Sequence, residues 1–513
     1  MNFNKKIEDY ALYLPAISAF YTRQLAKYED EVDTMRCPEG FENGLQGLNF
    51  LDEEKGYYYY PYGLYSAGHA QLDLDKTDIH ERMIQKRDRS KTVILGDSGG
   101  FQIAKGVIKL DWEDAIKPDS KAREALCEKM LRWLEYTADW SMTLDFPAFA
   151  AIPPYNKKTG LTDVKETIDM SMYNLDYFVK NRVPGATKFL NVLSGADDAS
   201  AQEWFDLVTP FSDSAFVKEH YGDEARTLEG YAMAGINIGQ MEQLLKRLLQ
   251  LREKGLLEGK GWIHCLGTGK LHWGCYLTSI QRQLRKHDSP NIQVSYDAAS
   301  PFVNTAYGQT YTYNFFDKKR FGYFMDKAID NKDLKGSTLP MPFKGPIMDR
   351  LTVGDICVQG HGDLNKAGKE SRTSWDTLSY SLYMGHSVHN HIEAFIEANR
   401  LADVEKHRTI CDWKEYRTGE KKTSSTNERS PHVPGIILMF DKFVEELLDP
   451  ANPNPYKMLE DNKLFLDEIT QNGWQAGKSN SFGSFFEQEE YIEGDRDDDM
   501  NHEIMTGEFD GEG

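Results

Sequence analysis

A rhythm limits this fold more than any single residue does. Short β-branched or apolar runs, each ending in a polar or glycine-rich corner, recur at residues 92–96, 142–145, 189–193, 231–236, 262–266 and 292–296. Between them, residues 123–136, 241–252 and 276–286 carry apolar side chains at i, i+3, i+4 and i+7, the pattern of amphipathic helices packed on one face. Strand–helix alternation implies parallel strands with covering helices. The corners Asp97, Asp145, Ser194, Gly235, Gly267 and Asp297 follow one another at roughly 30–50 residues, which suits an α/β TIM-type (β/α)8 barrel with its site on the C-terminal face. A doubly wound sheet gives a similar rhythm, and the barrel is favoured over it.

The flanks break the rhythm. Residues 1–90 are turn-rich and tyrosine-rich, and are expected to be a strand-and-turn region joining the barrel. The barrel is assigned to 91–400, with its last units expected beyond residue 300 beside an inserted or appended region. Residues 401–483 are read as a helical accessory region, and helices are expected near 391–401 and 436–448. Residues 484–513 are read as a disordered acidic tail. Of the net charge of −21, about −11 belongs to residues 487–513, which hold twelve acidic side chains against Arg496. The acidic body counts against a broad phosphate-coating surface but leaves room for a local basic groove. No run reaches the ~18–20 uncharged apolar residues of a membrane helix. The first residues, MNFNKK, lack the apolar run of a signal peptide. Six dispersed cysteines form no disulfide framework, so a reducing cytoplasm is expected, that of the host if the gene belongs to a phage.

Three segments carry the chemistry. In VILGDSGGFQ (93–102) a buried strand delivers Asp97, and two glycines let the backbone approach a flat ligand closely. LDFP (144–147) puts Asp145 at the end of the next strand, and YDAASP (296–301) puts Asp297 after a later one. Any one of these can be a turn or a helix N-cap. Three at strand C-termini of one barrel converge on a common pocket. Two carboxylates at a sugar's anomeric carbon can divide the labour: one attacks and holds the sugar as an ester, the other moves protons. A third can accept from the N–H edge of a purine. The set points to glycosidic-bond chemistry on a base.

The ordered motifs DSGGFQ (97–102), LDFP (144–147), NVLSG (191–195), AGINIG (234–239), HCLGTG (264–269) and SYDAASP (295–301) resemble the tRNA-guanine transglycosylase superfamily. That family exchanges guanine for a 7-deazaguanine on a TIM barrel without breaking the nucleic-acid backbone. The resemblance spans residues 90–310 strongly and 310–400 weakly. It implies that Asp297 is the nucleophile attacking C1′ of the target nucleoside and that Asp97 handles the proton of the incoming base. It further implies that Phe101 stacks on that base, Asp145 reads its amino-pyrimidine edge, Gly235 and Ile236 contact its exocyclic carbonyl, and Leu266 forms an apolar platform beneath it. Ser194 stands where the family usually has a glutamine.

Departures narrow the substrate. Gln240 replaces a glutamate tied to the 7-substituent. Residues 302–308, FVNTAYG, lack the two arginines with which the tRNA enzymes help read an anticodon loop. Chemistry kept and the tRNA reader lost resembles the DNA-directed branch, found in phages and some bacteria, which hypermodifies DNA and so can shield it from restriction. The partners implied are DNA with a flipped guanosine and a free base such as preQ0 or preQ1, with helper proteins or a homo-oligomer open. The alternatives are action on tRNA and a non-catalytic partner subunit, against which retention of Asp97 and Asp297 argues. The exchange needs no cofactor. The family's CxCxxC…H zinc pattern is reduced to Cys357, with His361, His386, His389 and His391 near it in sequence. Cys357, His361, His389 and His391 are the candidate ligands, and a loop cysteine beside surface histidines is the alternative. Lys318, Lys319 and Arg320, like Lys421 and Lys422, can touch phosphates or simply face solvent.

Overall fold

The structure is a computed structural model describing residues 7–30, 36–67, 72–358, 374–405 and 433–471. Eight strands form one parallel sheet: β1 (Leu12–Pro15), β2 (Tyr62–Ser66), β3 (Val93–Asp97), β4 (Trp140–Met142), β5 (Lys188–Leu193), β6 (Gly230–Met233), β7 (Trp262–Cys265) and β8 (Gln293–Ala298). Consecutive strands pair from β2 to β8, and β8 pairs with β1. A parallel bridge from Ala16 to Leu64 joins β1 to β2. The sheet closes on itself, giving the TIM-type barrel that the rhythm predicts.

Helices cover the outside. Helix α1 (Ala19–Asp30) follows β1 and α2 (Leu74–His80) follows β2. Then α3 (Lys121–Thr137), α4 (Val164–Asn181), α5 (Asp198–Val208), α6 (Met241–Glu253) and α7 (Leu271–His287) follow β3 to β7. Their starts are legible: Ser120 Oγ accepts from the Arg123 N–H at 3.0 Å, and Asp163 with Glu166 forms a capping box at α4. The eighth covering helix, α8 (Thr377–Glu405), packs on α7, α1 and β1.

Two expectations need correction. The first ninety residues do not merely join the barrel but supply β1 and β2, and among the described residues no barrel strand follows Ala298. The last covering helix comes from beyond residue 300. The early strands are four and five residues long and lie among tyrosines, so they give no apolar run. Those tyrosines act as long-range ties: Tyr60 donates to the Tyr13 carbonyl at 2.5 Å, and Tyr58 to the Gly385 carbonyl at 3.0 Å. Strand β4 also ends at Met142 and β6 at Met233, so Asp145 lies on the loop beyond β4 and Ile236 opens a one-turn helix (Ile236–Gly239) beyond β6.

After β8, a short helix (Ser300–Ala306) leads into an antiparallel hairpin of β9 (Gln309–Phe316) and β10 (Phe321–Lys327). The expected accessory helices exist as α9 (Gly435–Leu447), packed on α7, and α10 (Lys463–Gln471), packed on α6. Residues 406–432 and the acidic tail lie outside the described residues. Among the described residues no helix is long and apolar enough to cross a membrane.

Candidate active site

Strand β3 ends on Asp97 and the penultimate residue of β8 is Asp297, so both stand at the C-terminal rim of the barrel. Asp145 reaches the same rim from the loop after β4. Its placement depends on Gly100: a Cβ there would come within 2.1 Å of the Asp145 carbonyl oxygen and 3.6 Å of its Oδ1. The second glycine of the 97–102 motif therefore lets two loops touch, rather than serving the ligand alone. Behind the loop, the Phe146 N–H donates to Ser171 Oγ of α4 at 2.8 Å.

The three carboxylates feel one another. Burial pushes the Asp97 carboxyl above its usual range; the Ser66 hydroxyl and the Gly99 N–H, both donating to it, oppose that rise, and the charge of Asp297 adds to it. Ser66 lies directly across from Asp97 in the β2–β3 register. Burial also raises Asp145, to about 7, and the neighbouring Asp97 charge contributes. At neutral pH Asp145 thus exchanges its proton readily, and Asp97 holds one more readily than an ordinary aspartate does.

Asp297 is held differently. Its Oδ1 accepts from the Gly267 backbone N–H at 2.8 Å, and Nε2 of the fully buried His264 lies 3.3 Å from the same oxygen. His264 is fixed from below. Trp262 Nε1–H donates to Ser295 Oγ at 2.6 Å, and Ser295 Oγ lies 2.8 Å from His264 Nδ1. With one lone pair taken by Trp262, the Ser295 hydroxyl can donate to Nδ1, while Nε2 stands close to Asp297 without hydrogen-bonding geometry. A chain of contacts thus climbs from the barrel interior to the imidazole beside Asp297, because β7 and β8 pair in parallel with His264 opposite Ser295.

The other expected base contacts surround this centre. Leu266, half-buried, precedes the Gly267 amide that holds Asp297, and its own N–H donates to the Met233 carbonyl at 3.1 Å. Gly235 adopts φ +56°, and a Cβ on it would lie 2.3 Å from the Gly195 carbonyl and 3.2 Å from Ser194 Oγ. Ser194 and Gly235 are therefore neighbours, as a shared role requires. The Ile236 N–H is already engaged, donating to the Gly195 carbonyl at 3.0 Å. Asn237 Nδ2 donates to the carbonyls of Leu193 and Ser194, and the buried Arg247 donates to Asn237 Oδ1 at 2.9 Å, bracing both loops. Phe101 is half-buried, edge-on to Phe149 at 5.4 Å, with the Lys105 ammonium 4.3 Å from its ring centre.

Sequence reasoning missed His264, Ser295 and Ser66 as neighbours of the candidate carboxylates. The HCLGTG motif contained His264, but nothing in the letters pairs it with Ser295.

Among the described residues the zinc candidates form no cluster. Cys357 is buried, its thiol 3.9 Å from the Ile329 carbonyl. The ring of His391 stacks on Tyr323 at 4.2 Å and 1°, and that of His389 meets Tyr58 edge-on. These histidines are built into α8 among aromatic rings, not spread over a surface. His361 lies outside the described residues. Among the described residues no group of three or more His, Cys, Asp or Glu side chains is placed to hold a metal ion.

No family model matches the chain, and no curated protein matches it.

Proposed function

We propose that this chain exchanges guanine in DNA for a 7-deazaguanine through an ester between Asp297 and C1′ of the target nucleoside. One observation carries the proposal: three carboxylates meet at one barrel rim with Asp97 beside both others, and Asp297 accepts from a backbone amide with a buried imidazole 3.3 Å from the same oxygen. A flipped guanosine presents C1′ to Asp297. As the Asp297 oxygen bonds to C1′, the C1′–N9 bond breaks and the departing guanine takes the proton that Asp97 retains. The Gly267 N–H fixes the attacking carboxylate and limits its rotation, with the His264 imidazole 3.3 Å from the same oxygen. The deazapurine then enters, gives its N9 proton to Asp97 and attacks C1′, and the Asp297 ester is released. One base replaces another, Asp97 regains its proton, and nothing else is consumed. Asp145, once ionised, accepts from the N–H groups of the base edge.

DNA rather than tRNA is favoured by residues 302–308, which lack the arginine pair. Phe302, Thr305 and Ala306 of this stretch are buried in the short helix after Asp297. The test supplies the purified protein with DNA or tRNA and labelled preQ0, then looks for a covalent adduct in a denaturing gel. Wild type should label DNA and Asp297→Ala should not. Normal incorporation by Asp297→Ala refutes the mechanism, and incorporation into tRNA alone returns the substrate to RNA.

A further inference from the structure

The β9–β10 hairpin has two unlike faces. On the inner one, Asn314 Nδ2 donates to the Asn390 carbonyl of α8, Tyr323 stacks on His391, and Phe321 meets Phe316 and His272. On the outer one, Tyr313 and Phe324 are cross-strand partners with rings stacked at 4.6 Å and 10°. Phe315 crosses over Gly322, where a Cβ would come within 2.4 Å of its ring, and the Arg320 guanidinium lies 5.0 Å from the Phe315 ring centre. The result is a ladder running Arg320, Phe315, Phe324, Tyr313.

This ladder is open. Tyr313 is 53% exposed, Phe324 45% and the adjoining Met325 42%, so three of the twelve exposed large apolar side chains among the described residues gather on this one hairpin. Such a patch marks an interaction surface. Charge identifies the partner. Residues 309–344 hold seven basic and four acidic side chains, a net +3 inside a chain of −21. At the tip, the Asp317 carboxylate accepts from the N–H groups of Lys319 and Arg320 at 2.7 and 3.0 Å, closing the turn that displays Lys318, Lys319 and Arg320 beside the rings. Flat apolar faces alternating with cations suit a strand of bases and phosphates, since each base offers a stacking face and each phosphate a charge. The surface also borders the active site. Tyr323 donates to the Gly269 carbonyl at 3.4 Å, in the loop that holds Asp297, and Asn304 of the short helix after β8 donates to Tyr311 at 2.8 Å.

We infer that the outer face of this hairpin is a DNA-binding platform, stacking unpaired bases next to the flipped nucleotide on Tyr313, Phe324 and Phe315 while Lys318, Lys319 and Arg320 meet the phosphates. The inference rests on the base-exchange reading for the choice of DNA over RNA. Fluorescence anisotropy with a short labelled single-stranded DNA, and with RNA of the same sequence, tests it on the full chain. Tyr313→Ala/Phe324→Ala should weaken DNA binding by roughly tenfold or more while thermal unfolding stays at the wild-type position. Lys318→Ala/Lys319→Ala, at an exposed turn, should flatten the log K against log salt slope by about 1.4. Wild-type affinity in both variants overturns the inference. So does preference for RNA, or loss of self-association in place of loss of DNA. If DNA binding depends on the hairpin yet wild type exchanges no base, the exchange reading fails and the platform stands. If exchange proceeds with hairpin-independent binding, the platform fails alone.

Discussion

Replacing Asp145 by asparagine should make the protein more stable, and only above a definite pH. Burial and the Asp97 charge raise the Asp145 pKa from 3.8 to about 7 in the folded chain. The folded state therefore binds this proton more tightly than the unfolded one. Its stabilising effect is fullest at low pH and is lost as pH climbs from about 4 to about 7, at about 1.4 kcal/mol per pH unit. Between pH 5 and pH 8 the wild type should lose about 2–3 kcal/mol on this account. Asp145→Asn carries no titrating proton and keeps an oxygen for the backbone N–H of residue 145, which donates to the carboxylate in the wild type. Paired urea titrations at pH 5 and pH 8 read the effect directly. The variant should gain over wild type at pH 8 and roughly match it at pH 5, while losing affinity for free deazaguanine. Equal differences at both pH values, or a variant less stable at pH 8, would refute the placement of Asp145 in a desolvated pocket beside a second carboxylate. A stabilising change that removes base binding is the expected mark of a site whose strain serves function.

Two further outcomes follow from the geometry around Asp297 and Asp145. His264→Phe removes the polar ring beside Asp297 Oδ1 and should slow covalent-adduct formation by about 10–100-fold with little change in DNA affinity, whereas His264→Gln, which keeps a polar group there, should recover part of the rate; a Phe variant with wild-type single-turnover kinetics would show that Gly267 alone positions the carboxylate. Gly100→Ala forces a Cβ to within 2.1 Å of the Asp145 carbonyl, so thermal unfolding and base-exchange assays should record a cost of about 1–3 kcal/mol and near-complete loss of exchange.

The barrel was legible because β3 to β8 place polar residues just past short apolar runs, at a spacing that one crossover helix fills. β1 and β2 were not, because four or five residues set among tyrosines carry no period, and their membership depends on pairing with β8 and β3 across the chain. The same division holds in the site. Asp97, Asp145 and Asp297 announce themselves by local context, while Ser66 and His264 take their roles from register: Ser66 from lying opposite Asp97, His264 from lying opposite Ser295.

The histidines of α8 teach the converse. In the sequence His389 and His391 are candidate ligands standing two residues apart. In a helix, residues two apart point to nearly opposite sides. Accordingly His389 turns to Tyr58, while His391 turns to Tyr323, Tyr311 and Tyr13. Once α8 is known to run unbroken from Thr377 to Glu405, that spacing argues for packing and against chelation. The aromatic rings that enclose His391 include Tyr311 and Tyr323 of the β9–β10 hairpin, so His391 anchors the inner face of that element.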